Sequence, residues 1–134
     1  MFFVRVVSGK FNNMIDDNIP TDTILMLKES INRKYRIPIN KVKLKYKGIN
    51  LEDSKFIFDY FIKNNDTIEL DLELNEINFS KTGTYQLKWY VENGTTLNEL
   101  QNRITGIIPG IIIGHLFNSN NKNTLNDGDI IQLT

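Results

Sequence analysis

Cysteine is missing altogether, which removes disulfides, thiolate zinc sites and cysteine nucleophiles from consideration. There is one histidine, His115, so any imidazole-based triad would have to be built around it. It sits in the apolar run IIIGHLFN with no acid beside it, and the expectation is a structural or surface role. Neither sign of charge is in surplus: 16 Lys and Arg face 16 Asp and Glu. That balance argues against nucleic acid as the main partner, because phosphate binding needs a positive excess. No apolar run approaches the roughly 20 residues of a membrane helix. The opening MFFVRVVSGK is too short and too charged for a signal peptide and reads as a strand of the folded protein. A cytoplasmic location is the expectation that follows.

Chemistry-bearing motifs are equally scarce. Gly106, Gly110 and Gly114 lack the strand, Gly-rich turn and Lys-Ser/Thr arrangement of a phosphate loop. Asp127-Gly128-Asp129 reads as a β-turn rather than as a metal ligand set. No catalysis, no cofactor and no metal site is expected.

What the sequence does hold is regular patterning. FFVRVVSGKFNNMI reads as a hairpin, with Phe2, Val4 and Val6 alternating against Phe3, Arg5 and Val7 and a turn at Ser8-Gly9. Next, Ile24, Leu27 and Ile31, continued by Tyr35, have the spacing of one buried helical face. Thr21 or Asp22 can cap that helix, and Pro38 ends it. In KVKLKYKG, Val42, Leu44 and Tyr46 point one way and Lys41, Lys43, Lys45 and Lys47 the other. FIFDYFI covers a turn or short helix. TIELDLEL alternates again, with Ile68, Leu70, Leu72 and Leu74 inward and Glu69, Asp71 and Glu73 outward.

Residues 1–74 thus read as two strands, a helix and further strands, an α+β domain with one helix packed on a small mixed sheet. The order resembles the ubiquitin β-grasp fold. The resemblance extends to Gly48, Leu51-Glu52-Asp53, Asp59-Tyr60 and Thr67 at matching spacings, and from Val42 onward it needs no gap. It implies that Ile24, Leu27, Leu44, Leu51, Ile62, Ile68 and Leu70 are core. It also implies that the Tyr60 hydroxyl holds backbone near Glu52. On the open sheet face, where ubiquitin carries the apolar patch its receptors read, the matching positions hold Val7, Lys45 and Asp71. Ordinary ubiquitin receptors would have to desolvate these charges, so specific partners of complementary charge are expected instead, with Lys43, Lys45, Lys47, Asp71 and Val7 as the candidate surface. The lysine and acid stripes should pair across neighbouring strands. Ile49 and Asn64 stand at the two best-known chain-building positions, while Lys10, Lys28 and Lys34 remain. Ubiquitin-type chains are not expected.

Residues 75–134 repeat the pattern about 73 residues on. EINFSKTGTYQLKWYV is a second hairpin with a Lys-Thr-Gly-Thr turn. Leu97, Leu100 and Ile104 line a second helix capped by Thr95 or Thr96, and GIIIGHLF and TLNDGDIIQLT supply two more strands. This shorter unit resembles the sulfur-carrier members of the β-grasp superfamily. Trp89 and Tyr90, being consecutive on a strand, should place one ring in the core and one on the surface. GIIPGIII is strongly apolar, and Ile107, Ile108, Ile111 and Ile112 are the candidate oligomer or domain contact.

The whole chain resembles two-domain ubiquitin-like modifiers, interferon-induced or encoded in bacterial antiphage conjugation operons, with the bacterial group the better fit. The resemblance implies activating and conjugating enzymes, a deconjugating protease and target proteins as partners, self-association in some members, and attachment through a C-terminal Gly tail. Asp127, Gly128, Leu133 and Thr134 would form that functional end. Neither half shows the tail, and about six residues of the family pattern are missing after IIQLT. Either the sequence is a piece of a conjugated protein, or it is a non-conjugated tandem scaffold that binds partners noncovalently.

Overall fold

A computed structural model describes residues 2–81, 85–104, 113–117 and 124–133. They fall into two compact units, Met1–Glu73 and Leu74–Thr134.

In the first unit, β1 (Val4–Ser8) and β2 (Phe11–Ile15) form an antiparallel hairpin. Val4 and Val6 are buried and Arg5 is exposed, as strand alternation requires. Helix α1 (Ile24–Tyr35) follows, and its stripe Ile24, Leu27 and Ile31 is completely buried. The cap is Thr23, whose Oγ1 accepts from the Met26 N–H at 3.2 Å. It is neither Thr21 nor Asp22. The Asp22 carboxylate serves the preceding loop instead, accepting from the Ile19 N–H and from Asn18 Nδ2, both at 3.1 Å. Arg36 ends the helix in the left-handed region. A 3-10 turn at Ile39–Lys41, strands β3 (Leu44–Tyr46) and β4 (Ile49–Asn50), a second 3-10 turn at Ile57–Tyr60 and strand β5 (Thr67–Leu70) complete the unit. The sheet order is β2-β1-β5-β3-β4, with β1 and β5 parallel.

The second unit comprises β6 (Leu74–Lys81), β7 (Tyr85–Glu92), α2 (Leu97–Ile104), β8 (Ile113–Phe117) and β9 (Ile130–Leu133). Its order is β7-β6-β9-β8, with β6 and β9 parallel. Thr96 caps α2, its Oγ1 accepting from the Glu99 N–H at 3.2 Å. The core gathers Ile77, Phe79, Val91, Leu100, Ile104, Leu125 and Ile131. Both units follow one scheme, in which a hairpin leads to a helix and the last strand slots in parallel beside the first. The protein is α+β, two β-grasp domains in tandem.

Three expectations need correction. Strand β5 stops at Leu70, where Asp71 N donates instead to the Lys43 carbonyl at 2.7 Å. Leu72 is only half-buried, and Leu74 opens β6 opposite Glu92 rather than closing β5. Val42 is buried as expected but sits at the end of the first 3-10 turn, outside β3. Trp89 packs against the second core while Tyr90 is itself half-buried, its hydroxyl donating to Glu76 Oε2 at 3.3 Å, so the pair leaves no fully exposed ring. The expected turn Thr82-Gly83-Thr84, the contact Ile107, Ile108, Ile111 and Ile112, and Thr134 lie outside the described residues, as do the side chains of His115 and Leu133.

Candidate interaction surfaces

The open sheet face brings three of the candidate residues together. Val7, Lys45 and Asp71 line one shallow depression of about 320 Å³ with Ser8, Gly9, Glu69 and Leu70. Parallel pairing of β1 with β5 sets Val7 beside Glu69, and antiparallel pairing of β3 with β5 sets Lys45 opposite the same residue. Lys45 Nζ reaches Asp71 Oδ2 at 3.5 Å. Both side chains keep much of their exposure, so solvent screens the pair and its contribution is about 0.2–1 kcal/mol. Ser8 Oγ donates to the Leu72 carbonyl at 2.6 Å and ties down the end of the depression. The site is a mixed-charge rim around Val7 and the buried Leu70, a shallow and largely polar surface.

Lys43 and Lys47 are placed differently. Lys43 lines a neighbouring depression of about 390 Å³ with Lys28, Lys45, Asn50, Leu51 and Asp71. Lys47 has left the strand face. It occupies the β3–β4 turn at φ 50, with Nζ 5.2 Å from the centre of the Tyr46 ring, a cation–π contact. Of the remaining lysines, Lys28 is 12% exposed and bonded to Asp53 Oδ1 at 2.6 Å, so its amine is engaged and covered. Lys34 pairs with Asp16 at 3.1 Å.

Loop 47–66 is held by polar contacts. The Glu52 N–H donates to the Tyr60 hydroxyl at 2.8 Å, the lock expected of that tyrosine. Tyr46 donates its hydroxyl to Asp66 Oδ2 at 2.5 Å, and the Lys63 N–H donates to the same oxygen at 2.8 Å. The Tyr46 bond, and then the Lys63 bond, hold the Asp66 carboxyl below its ordinary range. The same hydrogen bond raises the Tyr46 phenol.

At the other end of the chain, Asp127 and Gly128 act as a clasp. Asp127 Oδ1 accepts from the Glu76 N–H at 2.8 Å, and the Gly128 N–H donates to the Glu76 carbonyl at 2.9 Å. Gly128 sits at φ 86, a conformation that favours glycine. These two residues therefore bind the start of β6 and set the approach of β9. Ile131 is buried and Ile130 is 46% exposed.

Two features carry no obvious sequence signal. One is the ion pair of Glu92 and Arg103, with Oε1 to Nη1 at 2.6 Å and Oε2 to Nη2 at 3.0 Å and only 2% of the Glu92 side chain exposed. Burial pushes that carboxyl up, yet the two Arg103 hydrogen bonds, with further help from backbone and Thr95, leave it below its ordinary value. The other is a run of exposed aromatics, Phe56, Phe58 and Phe61, at 41%, 48% and 81%. The signal available was FIFDYF itself, but a 3-10 turn follows neither the strand nor the α-helical period, so spacing could not say which rings face out.

Among the described residues, no group of three or more His, Cys, Asp or Glu side chains is placed to hold a metal ion. No helix among them is long and apolar enough to cross a membrane. Residues 2–75, more than half of the chain, match the family model described as "Ubiquitin family".

Proposed function

This chain belongs to the ubiquitin family, and we propose that it serves as a protein modifier, attached through its C-terminal end to target proteins. The carrying observation is the family match over the first unit together with the repetition of its strand order in the second. In this reading the chain is not an enzyme. A dedicated activating enzyme, a conjugating enzyme and a deconjugating protease supply the chemistry in the cytoplasm. The bacterial antiphage setting is the one the resemblance implies. The first unit offers the reading surface around Val7, Lys45 and Asp71, and its charges favour receptors other than those that read an apolar face. The second unit, nearer the C-terminus, docks on the activating enzyme, with Asp127, Gly128, Leu133 and Thr134 leading to the point of attachment.

One observation favours a second reading. Leu74 follows Glu73 directly into β6, so the first unit has no free tail of its own, as suits a tandem scaffold that binds partners noncovalently. Intact mass and denaturing blots on the protein from its own host separate the two. Species heavier than the free chain that survive denaturation, with an isopeptide at the chain's C-terminus, support the modifier. Free chain alone, with partners lost on denaturation, supports the scaffold.

A further inference from the structure

The 3-10 turn Ile57–Tyr60 carries a surface that folding alone does not account for. Phe56 and Phe58 stack with ring centres 5.4 Å apart and planes 5° from parallel, on the solvent side. Phe61 is 81% exposed and sits at φ 59. A bulky aromatic in the left-handed region is strained, and an exposed ring contributes little burial. Two unfavourable choices thus coincide at one residue, the pattern expected where a sequence serves something other than its own fold. Ile19, 56% exposed, extends the surface, because the Phe58 N–H donates to the neighbouring Pro20 carbonyl at 3.0 Å. Phe61 is tied to the same turn by its N–H bond to the Phe58 carbonyl at 3.0 Å.

We infer that this aromatic surface of Ile19, Phe56, Phe58 and Phe61 is the contact of a homodimer, in which the occupant is the same surface of a second copy. Area is the first reason. With about 200 Å² per phenylalanine, the exposed parts of these four residues come to about 400–450 Å² of apolar surface. A standard interface takes about 800 Å² from each partner, a little over half of it apolar, so the patch matches one side of such a contact. Charge is the second reason. The rim carries both signs: Lys55 pairs with Glu52 at 3.4 Å within the chain, and Lys63 and Asp59 are exposed beside it, so a twofold axis can set Lys63 of one copy against Asp59 of the other. The whole chain has zero formal charge, so two copies meet without long-range repulsion. This inference stands whether or not the chain is conjugated.

Sedimentation velocity of the full chain from roughly 1 μM to 1 mM tests it, alongside the double variant Phe58→Ser, Phe61→Asn. Asparagine tolerates the left-handed region better than phenylalanine, so the variant should melt no lower than the parent in dilute solution. The expected result is a concentration-dependent dimer in the parent, with its dissociation constant raised more than about tenfold in the variant. A parent that stays monomeric throughout overturns the inference and leaves a different protein, or another part of the chain, as the occupant. A dimer that persists unchanged in a folded variant overturns it as well, by placing the contact elsewhere.

Discussion

In the first unit, α1 is joined to the rest of its fold by backbone and surface contacts. The Ile24 N–H donates to the Lys55 carbonyl at 2.8 Å, the Leu25 N–H to the Asp53 carbonyl at 3.1 Å, and Lys28 bonds a half-exposed Asp53. In the second unit, α2 is pinned from beneath by Arg103, which grips the buried carboxylate of Glu92 at the end of β7. The same hairpin-and-helix scheme therefore rests on different supports. The longer unit, with a 12-residue helix and five strands, has enough aliphatic core to leave its charges outside. The shorter unit has an 8-residue helix and commits a desolvated ion pair to fixing it. A buried pair of this kind specifies position more than it adds net stability, and its two halves depend on each other.

The largest effect separates the units by their cores. Leu44→Asp with Leu70→Asp introduces charges at positions 2% and 4% exposed, and the first unit should lose its cooperative transition. The described core residues of the second unit all belong to that unit, so its amide resonances should persist. Loss of both sets would erase the comparison. Next, Arg103→Ala should destabilise the second unit by about 3–5 kcal/mol, read by urea unfolding, because Glu92 is left charged and buried. A loss under about 1 kcal/mol would mean that the pair is solvated in practice.

Acid sharpens the contrast further. The folded Glu92 carboxyl lies below its unfolded value, so its contribution is complete above the unfolded value and disappears as pH falls through the folded one. The second unit should melt at a constant temperature from neutrality to about pH 5 and progressively lower below about pH 4. With Arg103→Ala the sign reverses for this group. Burial then dominates, the carboxyl titrates higher, and acidification should restore part of the lost stability. The smallest expected effect is Tyr60→Phe in the first unit, about 0.5–1.5 kcal/mol, because the Glu52 N–H it serves lies at the exposed edge of the loop. Hydrogen exchange at Glu52 should show it as local opening.

Much of the first unit was legible because its signals are periodic. Ile24, Leu27 and Ile31, and Leu44, Ile68 and Leu70, lie on faces fixed by the helical and strand repeats, and all are buried. Spacing could not show where strands stop. Leu72 and Leu74 continue the alternation of β5 on paper, yet the ladder passes to a new sheet between them. Lys47 likewise continues the lysine alternation, but the turn carries it off the face. The union of Val7, Lys45 and Asp71 rests on strand neighbours far apart in the chain, and it could be foreseen only through the resemblance. Glu92 and Arg103 are separated by a loop and a helix, with no repeat linking them. Of the three phenylalanines, Phe58 lies in a 3-10 turn and Phe56 and Phe61 flank it, where period says little.

The parallel pairing at the centre of each sheet has a mechanical consequence. β1 begins the first unit and β5 closes it, side by side and pointing the same way, and β6 and β9 repeat this in the second. Tension applied through the two ends of a unit therefore pulls these neighbours in opposite directions along their length. Their cross-strand hydrogen bonds are then loaded together in shear, instead of parting one after another as in a peeled hairpin. Because β5 runs on toward β6 through only a few residues, a pull on the whole chain passes through both clamps in series. Under such a load each unit should resist and then give way abruptly rather than yield gradually.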